Sequence, residues 1–155
     1  MYSKELPIDS AYYSLIEAVK NPQKVVHLSL RHQKLLEMPK ELLLMPNLKT
    51  LDLGRNYIKE IPTWINQLVG LKELIMDRND LEQLPPEIGK LVQLEKLDLW
   101  NNNLSYFPPE LSGLKSLKTL DLRAILINQE AQNNIIVLLP WTKIYFSPAC
   151  KCKTQ

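Results

Sequence analysis

The chain has 155 residues, of which 45% are hydrophobic and 23% are charged, and these proportions are typical of a folded protein rather than a disordered or membrane-embedded one. Its 19 basic and 17 acidic residues are spread along the length and leave a net charge of +2, so no tract is predicted to bind a polyanion. No apolar run approaches the ~20 residues that a membrane helix needs. The first residues do not resemble a signal peptide, so a cytoplasmic location, or export with a signal peptide absent from this chain, are both compatible with the sequence.

The first predicted element is a capping helix, which follows a loose leader of residues 1–9. Apolar residues recur there at helical spacing, namely Tyr12, Leu15, Ile16 and Val19. They predict a helix from about Ser10 to Lys20, with Asp9 or Ser10 as its N-cap. Asn21 and Pro22 end it, because proline disfavours a helical residue before it. We expect this helix to cover the open apolar row of the segment that follows.

From Val25 onward, one pattern returns every 23 residues in five copies. The three leading apolar positions of each copy are Val25, Leu48, Leu71, Leu94 and Leu117, then Leu28, Leu51, Leu74, Leu97 and Leu120, then Leu30, Leu53, Met76, Leu99 and Leu122. Their alternation with polar residues predicts a short strand in each copy. Since every strand has the same phase, we expect the strands to stack in parallel, about 4.8 Å apart, in one sheet. Such a period indicates a solenoid.

Each predicted strand is followed by a corner residue and a proline-led return segment. The corner positions hold Asn56, Asn79 and Asn102, with Gln33 in the first copy and Ile125 in the last. A buried amide at such a bend is expected to donate to backbone carbonyls that lack sheet partners. The leading prolines predict short helical or 3₁₀ turns on the outer face. These segments direct Ile65, Ile88 and Leu111 inward, and carry Gly70, Gly89 and Gly113 where the chain turns toward the next strand.

The fifth copy departs from the pattern and predicts a C-terminal cap. Glu130 occupies an apolar position, and the residues from 129 to 140 form a helical pattern. A final strand over 143–146, with Ile144 and Phe146 inward, is expected to close the sheet. Beyond it, Cys150 and Cys152 are interpreted as two free thiols in a tail, with a local disulfide, a cross-link between chains or a soft-metal site as alternatives.

The motif LxxLxLxxNxLxxLPxxIxxL, as it stands in these copies, resembles the 23-residue form of the leucine-rich repeat family, and the ending LLPWTKIYF is similar to the C-terminal cap of bacterial members. The resemblance implies an α/β solenoid, a right-handed arc with a concave parallel β-sheet and proline-led turns outside. It implies a leader and helical cap over 1–24, five leucine-rich repeats over 25–139, and a capping strand and tail over 140–155, all in a single domain.

Partner binding is expected on the outward strand positions of such an arc, because the inward positions are filled by packing. Two apolar side chains, Trp100 and Ile75, interrupt a charged field there, and binding energy concentrates on aromatic residues ringed by polar groups. The alternative is that the Trp100 side chain lies flat over Met76 or over the corner asparagines and only packs against the edge of the core. The candidate partner-binding residues on the concave face are Trp100, Ile75, Asp98, Asp77, Arg78, Arg55, Asp52, Glu73, Lys96, Asp121 and Arg123.

Catalysis is not predicted for the carboxylates of this face. Asp52, Asp98 and Asp121 share one column, an arrangement that invites a hydrolytic or metal site. No oriented base or nucleophile converges on them, however, and Lys96 and Arg123 are placed to neutralise the neighbouring pair. We therefore predict no catalytic residue and no enzyme activity.

Metal, cofactor and nucleic-acid sites are also not predicted. His27 and His32 lie five positions apart across a strand exit and are interpreted as solvated surface residues. Glycine-rich phosphate loops, CxxC pairs and HExxH are absent from the sequence. Basic and acidic residues alternate on the candidate face, whereas a phosphate backbone favours a field of one sign.

The function that these observations favour is a non-enzymatic protein–protein interaction module that binds a protein or peptide on the concave face. One alternative is the substrate-recognition part of a larger bacterial effector or enzyme. Another is a surface or adhesive structural protein. The polar caps predict a monomer.

Overall fold

A computed structural model describes residues 11–150 of the chain. Its strands are β1 (Ala11–Tyr12), β2 (His27–Ser29), β3 (Thr50–Asp52), β4 (Glu73–Ile75), β5 (Lys96–Asp98), β6 (Thr119–Leu122) and β7 (Lys143–Phe146). All seven are parallel and lie in one open sheet in chain order. Two α-helices, α1 (Leu15–Ala18) and α2 (Gln129–Leu138), stand near the two ends of the array. The architecture is the predicted α/β solenoid.

The sheet register reproduces the period of the sequence. Leu51 is paired with Leu28 on one side and with Leu74 on the other, and the row continues to Leu97 and Leu120. These leucines are at most 1% exposed. Because each leucine lies on its equivalent in the next repeat, the five copies bury one continuous apolar row, as expected for an array of this kind.

Short 3₁₀ helices form the outer layer, as the proline-led segments predict. The predicted ones span Lys40–Leu44, Thr63–Gln67, Pro86–Lys90 and Pro109–Gly113, and a further one, Pro22–Lys24, lies where the sequence predicts only the end of the capping helix. The inward residues Ile65, Ile88 and Leu111 are fully buried between this layer and the sheet. The core therefore lies between parallel strands and parallel 3₁₀ turns along the whole array.

The N-terminal end differs from the predicted helix over Ser10–Lys20. Tyr12 extends the sheet as part of β1, and the α-helix is a single turn, Leu15–Ala18. Ile16 is 71% exposed, although the helical pattern places it inward. The predicted caps Asp9 and Ser10 lie outside the described residues. A strand forms here because its pairing with β2 satisfies the backbone hydrogen-bonding groups at the sheet edge. A helix at this position would leave those groups without partners.

The C-terminal end has the predicted helix and strand. The Asn128 side-chain oxygen accepts a hydrogen bond from the backbone N–H of Ala131 at 2.8 Å, which caps α2. Strand β7 pairs with β6, and Ile144 and Phe146 pack against the core. Cys150 is disulfide-bonded, so the interpretation as a free thiol is wrong for this residue. Cys152 lies outside the described residues.

The corner asparagines are buried and bonded to backbone, as predicted. The Asn79 side-chain oxygen accepts from the backbone N–H of Ile58 at 3.0 Å, and its amide nitrogen donates to the carbonyls of Leu53 and Met76 at 3.0 and 3.1 Å. Asn56 shares the Leu53 carbonyl, and Asn102 shares the Met76 carbonyl. Each asparagine therefore links its own bend to that of the preceding repeat.

Of the three glycines predicted at turns, Gly70, Gly89 and Gly113, the last two have a different role. None has a positive φ, so a turn conformation does not require glycine. A Cβ on Gly89 would lie 2.0 Å from the carbonyl oxygen of Glu110, and one on Gly113 would lie 2.2 Å from that of Gly89. These glycines allow neighbouring 3₁₀ helices to touch through their backbones.

No helix within residues 11–150 has the length and apolar character to cross a bilayer.

Candidate interaction surface

The outward side chains of the strands form a regular field because the register is fixed. Asp52, Ile75, Asp98 and Asp121 occupy consecutive positions in one row, each paired with the next across β3, β4, β5 and β6. Adjacent strands are about 4.8 Å apart. The row therefore brings an apolar side chain and two neighbouring carboxylates to the middle of the sheet.

A cavity of about 260 Å³ opens on this face at the strand exits. It is lined by Arg31, Ile75, Asp77, Asp98, Trp100, Asp121 and Arg123. Six of these belong to the predicted set. Arg31 is an addition, while Asp52, Arg55, Glu73, Arg78 and Lys96 lie outside the lining. The structure thus brings six of the eleven predicted residues together at one cavity, while the other five lie beside it.

Arg31 reaches across two repeats to the cavity floor. Its guanidinium donates to Asp52 Oδ1 at 2.9 Å and to Asp77 Oδ2 at 2.6 Å, and hydrogen bonding to Asp77 is the main reason that the pKa of Arg31 is raised. The crossing is possible because Gly54 lies between them, where a Cβ would be 2.1 Å from Arg31 Nη1. The signal in the sequence is an arginine, a glycine and an aspartate at successive equivalent positions, 31, 54 and 77.

Trp100 is half-buried and is covered by an arginine of the preceding repeat. The Arg78 guanidinium carbon lies 4.5 Å from the centre of the indole ring, a distance typical of cation–π contacts. Arg78 itself has a φ of 52°, in the left-handed region that non-glycine residues seldom adopt. The same corner position has a positive φ in all five copies, at His32, Arg55, Arg78, Asn101 and Ala124. This recurrent bend directs Arg78 over the ring.

The two neighbouring carboxylates of the row differ in their electrostatic environments. Burial raises the pKa of Asp121, but hydrogen bonds from Arg123, including one of 2.5 Å from Nη2 to Oδ2, outweigh it and the pKa lies below its ordinary value. Burial also raises the pKa of Asp98, and repulsion from Asp121 and Asp77 adds to this rise. The backbone N–H of Trp100 donates to Asp98 at 3.1 Å. No cation of residues 11–150 forms an ion pair with Asp98.

Replacing Asp98 with asparagine is therefore expected to stabilise the protein at pH 7, by about 0.2–1 kcal/mol, as for relief of like charges on adjacent strands. A carboxyl group whose pKa is raised by folding destabilises the fold once it ionises, so the stability difference should disappear as the pH falls below the ordinary value of 3.8. Urea denaturation at a series of pH values measures it. Asp121→Asn is the control and should act with the opposite sign, because its ionised form is paired; the same sign for both variants would contradict the assignment.

The remaining predicted residues flank the cavity. Glu73 and Lys96 begin β4 and β5 and face each other in the register. Arg55 is exposed at a corner with a φ of 56°. His32 is exposed and His27 is partly buried. Within residues 11–150, no group of three or more histidine, cysteine, aspartate or glutamate side chains is arranged to hold a metal ion.

Solved structures similar to this one include proteins from bacteria and plants. A leucine-rich repeat protein of Leptospira interrogans matches with 27% identity and a TM-score of 0.54, over 92% of this chain and 49% of its own. The ectodomain of the Arabidopsis thaliana receptor kinase GASSHO1/SCHENGEN3, in complex with CASPARIAN STRIP INTEGRITY FACTOR 2, matches with 26% identity and a TM-score of 0.66, over 88% of this chain and 19% of its own.

A plant peptide hormone receptor, RGFR1 in complex with RGF2, matches with 26% identity and a TM-score of 0.57, over 72% of this chain and 18% of its own. The chain thus spans about half the length of the Leptospira protein and less than a fifth of the two plant chains. No curated protein sequence matches it. The family model for the leucine-rich repeat region matches residues 14–140. The chain therefore belongs to the leucine-rich repeat family.

Proposed function

We propose that this chain binds a protein or peptide segment on the concave face of its sheet, with the cavity between Ile75 and Trp100 as the anchoring point. The observation that carries the proposal is the combination of two apolar side chains with Asp98, a partly buried carboxylate that forms no salt bridge within residues 11–150. Binding sites typically combine apolar side chains with placed polar groups that fix the orientation of the partner.

The charges of the cavity favour a partner with a basic side chain at its anchor. Arg31 compensates Asp52 and Asp77, and Arg123 compensates Asp121. Asp98 is the carboxylate that remains. The stem of a lysine or arginine would contact Ile75 and Trp100 while its charged end reaches Asp98, because such side chains bury their methylene groups and keep the charge at a polar partner.

Similar structures support a recognition role rather than a catalytic one. The Arabidopsis ectodomain and the peptide hormone receptor are each in a complex with a named factor. Proteins of this fold are commonly interaction modules. The three similar proteins are longer than this chain, which favours, as a second candidate, the recognition part of a larger protein.

The test is a selection of displayed peptides against the chain, followed by calorimetry with the parent and with the Trp100→Ala, Ile75→Ala double variant. Selected peptides should carry arginine or lysine beside an apolar residue. The double variant should bind them at least about 30-fold more weakly, which corresponds to about 2 kcal/mol, while circular dichroism stays unchanged.

Trp141→Ala is the matched control, because Trp141 is 71% exposed and does not line the cavity. This variant should bind as the parent does. Equal affinity for the parent and the double variant would disprove the proposed anchoring point.

A further inference from the structure

A second groove runs along the flank of the solenoid, between the strand exits and the 3₁₀ helices. It consists of two adjoining cavities of about 650 and 530 Å³, which share Glu60 and Pro62. One extends toward Leu36, which is 73% exposed, and the other toward Tyr106, which is 52% exposed. We refer to the two cavities together as the flank groove.

The flank groove crosses the repeats at right angles to the strands. Glu37, Glu60, Gln83 and Tyr106 hold the same position in successive copies, and Gln83 and Tyr106 form a parallel backbone bridge. Four positions at a spacing of about 4.8 Å extend over about 15 Å, which about five residues of an extended chain would cover at about 3.3 Å per residue. The groove therefore has the dimensions of a short extended peptide.

The lining of the flank groove is apolar in its floor and acidic along its rim. Trp64, Pro62 and Pro85 contribute ring surfaces. The charged lining residues are four carboxylates and one amine, namely Glu37, Glu41, Glu60, Glu87 and Lys40. Within residues 11–150, none of these carboxylates forms an ion pair. A strongly acidic rim thus stands on a chain whose net charge is +2.

Glu87 provides an observation that is independent of this charge count. Its Oε2 atom is buried and has no hydrogen-bond partner in the structure. Buried polar atoms are almost always paired, and leaving one unpaired has a free-energy cost. Glu87 lines one of the two cavities of the flank groove, so a cationic donor bound there would be a candidate partner for this carboxylate.

We propose that the flank groove is a second binding site, and that its occupant is a short, extended, basic peptide segment with apolar or proline residues between its cationic side chains. The apolar residues would lie on the rings of Trp64 and Pro62, and the cationic ones would pair with Glu60 and Glu87. Complementary charge gives such a contact its specificity. This site lies away from the Trp100 cavity and does not depend on it.

The test uses two seven-residue peptides that have arginine or glutamate at every third position, with proline and leucine between. Each is titrated into the isotopically labelled full chain and followed by amide chemical shifts. We expect the arginine peptide to bind at least about tenfold more tightly than the glutamate peptide, with shifts that centre on Glu60 and Glu87. Preference for the glutamate peptide, no binding of either, or shifts centred on Trp100 would overturn the proposal.

A charge-matched pair of variants then tests the residues. Glu60→Gln with Glu87→Gln should weaken binding of the arginine peptide about tenfold. Glu17→Gln with Glu130→Gln removes the same charge from residues that do not line the flank groove and should change the affinity less than twofold. Equal weakening by both pairs would show a general effect of net charge and would disprove the site.

Discussion

Replacing Asn79 with alanine is expected to lower the free energy of unfolding by about 3 kcal/mol. The substitution removes four buried hydrogen bonds, to the Ile58 N–H and to the carbonyls of Leu53, Met76 and, at 3.4 Å, Asp77. The three shorter ones each have a net contribution of about 1 kcal/mol. The carbonyls of Leu53 and Met76 keep a second donor, Asn56 or Asn102. The Ile58 N–H loses the Asn79 oxygen as its acceptor. Because this N–H lies in the buried core, the cost of its desolvation adds to the loss of stability. Urea denaturation followed by circular dichroism measures the change.

Asn103→Ala is the matched control for this prediction. Asn103 lies one residue beyond a corner asparagine, is exposed, and its side chain makes no hydrogen bond with the described residues. Its replacement should change stability by less than about 0.5 kcal/mol. Asn56→Ala combined with Asn79→Ala should cost more than the sum of the single variants, because the Leu53 carbonyl then loses both amide donors. A loss below about 1 kcal/mol for Asn79→Ala would contradict the role of this corner.

Replacing Gly89 with alanine is expected to lower the free energy of unfolding by about 2–3 kcal/mol. The new methyl group would lie 2.0 Å from the carbonyl oxygen of Glu110, so two neighbouring 3₁₀ helices must separate. Backbone atoms cannot move aside as a flexible side chain can, and overpacking of this kind typically costs 1–3 kcal/mol. The loss should appear in thermal and urea denaturation alike.

Gly70→Ala provides the comparison within the same chain. The nearest atom to a Cβ at Gly70 is Lys49 Nζ at 3.0 Å, the mobile end of a long side chain. The substitution also restricts the unfolded chain, so we expect a neutral or slightly stabilising effect of up to about 1 kcal/mol. If Gly70→Ala and Gly89→Ala were equally destabilising, backbone contact between the 3₁₀ helices would not be the cause.

The repeat fold could be predicted from the sequence because its contacts recur at a fixed spacing. Each leucine of the row packs on its own equivalent 23 residues away. Local alternation and long-range packing therefore predict the same strands. The roles of Asn56, Asn79 and Asn102 follow from the same periodicity. The strand over Lys143–Phe146 follows instead from its own alternation of inward and outward residues, and it pairs with β6 at an offset of 24 rather than 23 residues.

The ends and the glycines could not be predicted in this way. At Ala11–Tyr12 the pattern is too short to separate a strand from a helix, and pairing with β2 decides the outcome. The role of Gly89 depends on Glu110 in the next repeat, a contact that no local turn rule describes.

The candidate surface was predicted in part. Trp100 and Ile75 are apolar residues at two outward positions that are otherwise mostly charged, and both line the cavity. The link from Arg31 to Asp77 spans 46 positions and depends on the empty space at Gly54. Which of the predicted residues contact a partner stays a prediction, because the contacts depend on the shape of that partner.

The backbone contact between the 3₁₀ helices also has a consequence for the opposite face of the solenoid. Gly89 follows β4, which carries Ile75, and Gly113 follows β5 and Trp100. The two repeats that hold the proposed anchor are therefore in direct backbone contact through their 3₁₀ helices, on the side of the solenoid opposite the cavity. Such a pair of repeats resists bending, so the anchor would be preorganised and would lose little conformational entropy when a partner binds.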